Sequence, residues 1–166
     1  MIAGAAMMFC SHGMEMNQFY ESSAVVTDGG PAPQPDKDPE FWYFRSTYPD
    51  RHLIHAWLTR DQRPVALIDL VGHGRFTLLT GVTGGAAWRV AVTAALAEFG
   101  VEVGVVTIGH CGDYEDSWGT YAATREVAVE DGALLVRPDH IIGWRAGDGT
   151  DATARLTAAL RQILSR

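Results

Sequence analysis

Residues 84–108 read GGAAWRVAVTAALAEFGVEVGVVTI. Within them Trp88, Ala91, Val92, Ala95, Leu96 and Phe99 recur at the i, i+3, i+4, i+7, i+8 and i+11 spacing that lines one face of an α-helix, while Arg89, Thr93 and Glu98 fall off that face. Gly84-Gly85 opens the helix and Gly100 closes it, where a left-handed cap is wanted. Residues 101–108 (VEVGVVTI) are almost all apolar, which predicts a parallel strand covered on both faces. Upstream, residues 65–71 (VALIDLV) and 75–80 (RFTLLT) are two β-rich runs parted by Gly72-His73-Gly74, which predicts a hairpin. The second run, the helix and residues 101–108 make a β-α-β unit.

Downstream, residues 110–120 (HCGDYEDSWGT) read as a loop, with one short helical turn at 121–124. Residues 133–136 and 141–144 flank Arg137-Pro138-Asp139-His140, a turn signal that predicts a second hairpin. Residues 148–151 supply N-cap candidates. Leu156, Ala159, Leu160, Ile163 and Leu164 then form another one-sided helix, with Arg161 and Arg166 at its C-terminal dipole. This α/β order, β-α-β then β-β-α with an extra N-terminal hairpin and an extended tail, resembles the thioredoxin fold. Thioredoxins carry redox cysteines where the first core strand meets its helix, and a cis-proline before the final hairpin. Here those places read Gly81-Val82-Thr83-Gly84-Gly85 and Glu130-Asp131-Gly132, and no CxxC occurs. The resemblance therefore implies the fold without thiol–disulfide chemistry.

The whole chain has 166 residues, one domain's worth, of which 47% are hydrophobic and 20% charged. Its net charge of -7 argues against nucleic acid or an acidic membrane as partner. No apolar run reaches the roughly 18 residues of a membrane span. Cys10 and Cys111 lie far apart, without disulfide-scaffold or zinc spacing, so a reducing, cytoplasmic setting is expected. The opening MIAGAAMMFC lacks the positive region of a secretory signal. Lys37 is the only lysine and no arginine precedes Arg45. Pro31, Pro33, Pro35 and Pro39 mark residues 29–40 as a linker, which divides the chain into a tail (1–28), the linker and a domain (41–166). In the tail, residues 20–26 (YESSAVV) are a strand candidate that wants a partner sheet. The aromatic run 41–44 (FWYF) suits a core or a docking surface.

Chemistry-bearing patterns are sparse. Gly81 to Gly85 could offer N–H groups to a phosphate, but the stretch lacks both GxGxxG spacing and a GK[ST] ending, so a plain turn is expected. None of the six histidines has helical i, i+4 pairing; His110-Cys111 with His140 is the best metal alternative. Asp113, Glu115 and Asp116 read as a solvated acidic loop. Asp69 lies among apolar residues and must face water or find a partner, with Arg75 and Arg137 as candidates.

Several blocks match a known family in order: YESSAVVTDGG, STYPDRHLIHAWL, LIDLVGHGRFTLLTG, GVEVGVVTIG, the Asp113 to Asp116 stretch, and GALLVRPDHIIGWRA. They resemble the C-terminal region of FAD-dependent aromatic hydroxylases, most closely the phenol and chlorophenol monooxygenases and the polyketide hydroxylases. The resemblance implies a thioredoxin-like domain appended to flavin and substrate domains that hydroxylate rings with NAD(P)H and oxygen. It implies no catalytic, cofactor or metal residues here; His55, Trp57, Asp69, Arg75, Arg137, Asp139 and Trp144 are carried over as interface or structural positions. FAD and NAD(P)H belong to the parental enzymes, and none is expected on this chain alone. The tail resembles the last piece of the preceding catalytic domain. Pro49-Asp50-Arg51-His52-Leu53-Ile54-His55 departs from the family's usual Pro-Gly-x-Arg-x-Pro-His, with the glycine and the second proline replaced. The implied role is docking on a flavin-bearing chain, covering its substrate entrance, or self-association as a homodimer. The alternatives are one component of a split hydroxylase and a small thioredoxin-like binding module with Cys111 as its thiol.

Overall fold

The computed structural model describes residues 11–128 and 130–165. In chain order the elements are α1 (His12–Met16), β1 (Trp57–Arg60), β2 (Arg63–Ala66), a 3-10 turn (Leu67–Leu70), β3 (Phe76–Thr80), α2 (Gly85–Phe99), β4 (Val103–Thr107), α3 (Thr120–Thr124), β5 (Ala133–Val136), β6 (Ile142–Ala146) and α4 (Ala152–Ile163). A four-stranded sheet runs β4-β3-β5-β6, and β1-β2 form a separate pair. Within the larger sheet β3 and β4 are parallel, β5 is antiparallel to β3, and β6 to β5. A β-α-β unit followed by β-β-α packs in this mixed arrangement, which is compatible with the thioredoxin-like expectation.

The sheet is apolar on both sides because successive residues point to opposite faces. Leu78, Ala133, Leu135, Trp144 and Ala146 meet α2 and α4 on one side. Leu79, Leu134, Val136 and Ile142 meet Leu53, Ile54, Leu58, Leu67 and Tyr121 on the other. Ile142 and Trp144 should share a face, yet they lie on opposite ones. The register steps from Leu135↔Trp144 to Val136↔Ile142, leaving Gly143 as an extra, bulged residue. On the helical side the Trp88 and Trp144 rings meet edge to face at 5.9 Å. Small residues such as Ala91, Ala95, Ala152 and Ala159 are buried in the same cluster.

Several expectations are corrected. The hairpin placed at 65–80 is instead β1–β2; after Ala66 the chain winds into the 3-10 turn, and β3 pairs with β4 and β5. That turn sends Leu67 and Val71 into the core and leaves Asp69 exposed, which removes the cost of burying its carboxylate. Residues 20–26 form no strand; Val26 donates its N–H to the Gly143 carbonyl at 2.7 Å. β4 is parallel as expected but stands at the sheet edge, with Gly104, Val105 and Val106 only half-buried. Leu96 is 48% exposed, since it lies about 80° round the helix from Trp88 and falls on the rim of the buried stripe. Asp151 caps α4 through its backbone, with no side-chain bond. Arg161 ion-pairs with Glu98 across the two helices. Arg166 lies outside the described residues.

Asp50 stands at φ 100, where glycine is favoured. Replacing Asp50 with glycine should leave stability unchanged or raise it by up to about 1 kcal/mol in urea melts, because relief of the left-handed strain offsets the added chain entropy; a loss of that size would show that its 3.0 Å pairing with Arg51 matters more. Trp88→Ala should cost about 3–5 kcal/mol, whereas Leu96→Ala should cost about 0.5 kcal/mol or less. Equal costs in the same denaturation series would mean that the buried face of α2 is wrongly assigned.

Candidate functional site

The end of the sheet where a thioredoxin keeps its chemistry is closed by packing. Gly84 donates its N–H to the Glu130 carbonyl at 3.0 Å, and the Trp88 indole N–H donates to the Asp131 carbonyl at 2.8 Å. A Cβ on Gly84 would lie 2.8 Å from the Asp131 Cα and 2.6 Å from the Thr80 hydroxyl. Asp131 in turn accepts the Gly149 N–H at 3.2 Å. A pyrophosphate needs free N–H groups and room at a strand–helix turn. This turn has spent the Gly84 donor on its own chain and is crowded at Gly84, so it does not offer a pyrophosphate the free strand–helix turn it needs.

Beside this end, the loop after β4 is organised by one carboxylate. Asp113 Oδ2 accepts the Thr107 N–H at 2.9 Å and the Thr107 hydroxyl at 2.7 Å, with Arg89 at 3.3 Å. Burial alone would raise this carboxyl; the Thr107 bonds and the Arg89 charge outweigh it and hold it below the usual carboxylate range. The expectation of a merely solvated acidic loop is therefore corrected for Asp113, and for Asp116, whose Oδ2 accepts the Ala122 N–H at 2.8 Å. Thr59 pairs with Glu115 across the loop, and an open polar cleft of about 600 Å³ lies between the β1–β2 turn and residues 112–117. Tyr121 is buried in the core below the sheet, with the Arg125 guanidinium 5.2 Å from its ring. Burial, opposed by Arg125 and reinforced by Asp116, pushes its hydroxyl up to about 12, so it stays protonated.

The carried-over positions do not converge. His55 and Trp57 are both exposed and touch edge to face at 5.2 Å. Arg137 pairs with Asp139 at 2.6 Å within the β5–β6 turn and also donates to the Ala24 carbonyl at 3.2 Å. Neither Arg137 nor Arg75 pairs with Asp69, whose carbonyl instead meets the His73 ring at 3.1 Å. Trp144 is core. The metal alternative dissolves: His140 stacks on His52 at 5.9 Å, His110 pairs with Glu115 at 3.5 Å, and no metal-binding group of histidine, cysteine and carboxylates exists among the described residues. Cys111 is exposed.

Arg145 escaped the sequence reading. Its guanidinium bridges Asp28 and Glu126, each at 2.7 Å, and lies 5.1 Å from the Tyr48 ring. Glu126 also accepts from the Ser46 hydroxyl at 3.0 Å and the Thr47 N–H at 3.2 Å. This network ties the tail, residues 46–48 and the loop before β5 to β6. Beyond the tie, Met14, Phe19, Tyr20 and Trp42 are each about half exposed. They line two recesses, of about 440 Å³ (Met14, Phe19, Tyr20) and about 510 Å³ (Trp42). No described helix is long and apolar enough to cross a membrane.

A family model for the aromatic-ring hydroxylase C-terminal region matches residues 46–166. The 2,4-dichlorophenol 6-monooxygenase of Delftia acidovorans is 41% identical over 165 residues, 99% of this chain and 28% of that protein. Tetracenomycin A2 monooxygenase-dioxygenase of Streptomyces glaucescens is 33% identical over 148 residues, 89% of this chain and 25% of that protein. Among solved structures, the flavin-dependent monooxygenase PieE in complex with FAD and substrate superposes with a TM-score of 0.91 at 42% identity, covering 99% of this chain and 28% of that one. The chain thus spans about a quarter of the length of these relatives.

Asp113→Ala should destabilise the chain by about 1–3 kcal/mol, because the buried Thr107 N–H loses its acceptor. The Asp113 carboxyl is depressed in the folded state, so its contribution is complete above the unfolded value near 3.9 and is lost as pH falls through the lower folded value. Urea midpoints of the two proteins should therefore differ most above about pH 5 and begin to converge only as pH falls below about 4. A gap that persists unchanged in acid would exclude the carboxylate as its cause.

Proposed function

The chain belongs to the aromatic-ring hydroxylase C-terminal family, and from that membership we propose that it is a docking module for a flavin-bearing chain of the same kind. The observation that carries this reading is the contrast between the crowded strand–helix turn at Gly84, whose N–H is already bonded within the chain, and the apolar surface at Met14, Phe19, Tyr20 and Trp42. A patch of large apolar side chains held on an ordered scaffold is suited to protein contact, with the aromatics as anchors. On this reading residues 1–28 continue the catalytic part of the relatives, 29–40 link, and 41–166 form the appended domain. The assembly would oxygenate a phenolic or polycyclic aromatic ring, as the relatives' names describe for them. This chain would supply contact surface and no reacting group.

The experiment mixes the purified chain with the Delftia acidovorans monooxygenase truncated before its aligned segment. We expect the two to co-elute, and Phe19→Ser with Trp42→Ser to weaken the complex about tenfold or more, as loss of two anchors does. Absence of a complex at every attainable concentration would end the docking reading. So would a visible flavin spectrum, at one flavin per chain, from the purified chain alone.

A further inference from the structure

Asn17, the residue after α1, commits its whole side-chain amide to one segment. Its Nδ2 donates to the Pro39 carbonyl at 2.8 Å and to the Trp42 carbonyl at 2.7 Å, while its Oδ1 accepts the Phe44 N–H at 2.8 Å. Met14 adds an N–H bond to the Glu40 carbonyl at 3.1 Å, and Gly13 approaches the Pro39 carbonyl so closely that a Cβ would not fit between them. α1 thus fixes the backbone of residues 39–44. Trp42 nevertheless stays 59% exposed. A large ring held in place on a fixed backbone, yet left in water, is prepared for a contact whose ordering cost is already met.

The recess of about 510 Å³ at this point is lined by His12, Phe41, Trp42, Tyr43 and Arg45. No carboxylate lines it, although Asp36, Asp38 and Glu40 are close in the chain. Asp38 instead closes its own turn, where its Oδ1 accepts the Glu40 N–H at 3.0 Å. Arg45 is exposed and makes no ion pair among the described residues. Burial pushes the Tyr43 hydroxyl up, and the nearby Arg45 charge opposes the rise. That hydroxyl stays protonated at neutral pH and able to donate. Lys37 brings a second cation to the outside of the recess, with its Nζ 4.8 Å from the Trp42 ring. On a chain of net charge -7, an aromatic hollow bordered by two cations and lined by no acid has a defined complement.

We propose that this recess binds a small aromatic carboxylate, its ring against Phe41 and Trp42 and its carboxylate received by the Arg45 guanidinium and the Tyr43 hydroxyl. A guanidinium matches a carboxylate with two parallel N–H bonds, and aromatic walls favour a flat ring. A neutral ring would leave the guanidinium without its anion, and an aliphatic acid would forgo the ring contact. Inorganic phosphate would gain nothing from the aromatic walls. The inference does not rest on the docking reading. A partner seated on Trp42 would compete with the acid for the same recess, so the test uses the chain by itself.

The test titrates the full chain with benzoate at constant ionic strength and follows the Trp42 indole N–H signal by NMR. A saturable shift is expected, with a dissociation constant of about 1 mM. Benzamide, of the same shape but uncharged, and cyclohexanecarboxylate, charged but not flat, should each bind about tenfold more weakly. Arg45→Gln should weaken benzoate about tenfold and leave benzamide unchanged, and Tyr43→Phe should weaken benzoate about threefold. Far-UV circular dichroism of Arg45→Gln should match the wild type, because the side chain it replaces is exposed and forms no ion pair. The comparison of the three probes on the wild type needs no variant. Absence of a saturable benzoate shift up to about 50 mM overturns the proposal. So does binding that benzamide equals, or that Arg45→Gln leaves intact.

Discussion

At Gly143 two residues of β6 stand opposite one of β5, and most of the packing depends on that mismatch. Without the extra residue, Ile142 and Trp144 would point the same way. With it, Ile142 joins Leu79, Leu134 and Val136 beneath the sheet, and Trp144 meets Trp88 above it. The bulge also turns the Gly143 carbonyl outward to accept the Val26 N–H, so the constraint that builds two cores also anchors the tail. Glycine suits the position because a Cβ there would press on the Arg137 side chain at 3.0 Å.

The same economy governs the end of the sheet where related folds place reactive groups. Donors that could hold an anion or polarise a thiol are engaged within the chain: Gly84 by Glu130, Trp88 by Asp131, Thr107 by Asp113. Each bond exchanges reactivity for rigidity, since a satisfied buried donor has nothing left to offer a ligand. Among the described residues, the surface keeps large exposed aromatic side chains such as Phe19 and Trp42 and a β4 edge that no other strand of the sheet covers.

Legibility from the sequence followed how local the determinants were. The buried stripes of α2 and α4 and the β5–β6 turn were readable because spacing within one element sets them. The β1–β2 hairpin was not: its turn places Asp61 and Gln62 at φ 51 and φ 61 without the usual asparagine or glycine, and Pro64 argues against a strand unless, as here, the strand is an edge. Asp113 read as one more solvated acid because its value lies in a carboxylate meeting the end of β4. Arg145 gave no local signal at all; its partners Asp28 and Glu126 are far from it in the chain.

The sequence by itself determined the order of elements, the absence of a redox motif or dinucleotide fingerprint, and the kinship with the aromatic-ring hydroxylase C-terminal region. These follow from residue types and short spacings, which survive without knowledge of contacts. Only the tertiary structure decided which strand residues meet the helices and which meet the opposite core, which carboxylates are structural and which sheet edge is closed by the tail. Those outcomes depend on register. A single-residue offset such as the one at Gly143 reverses the exposure of every residue beyond it, and no local pattern specifies where it falls.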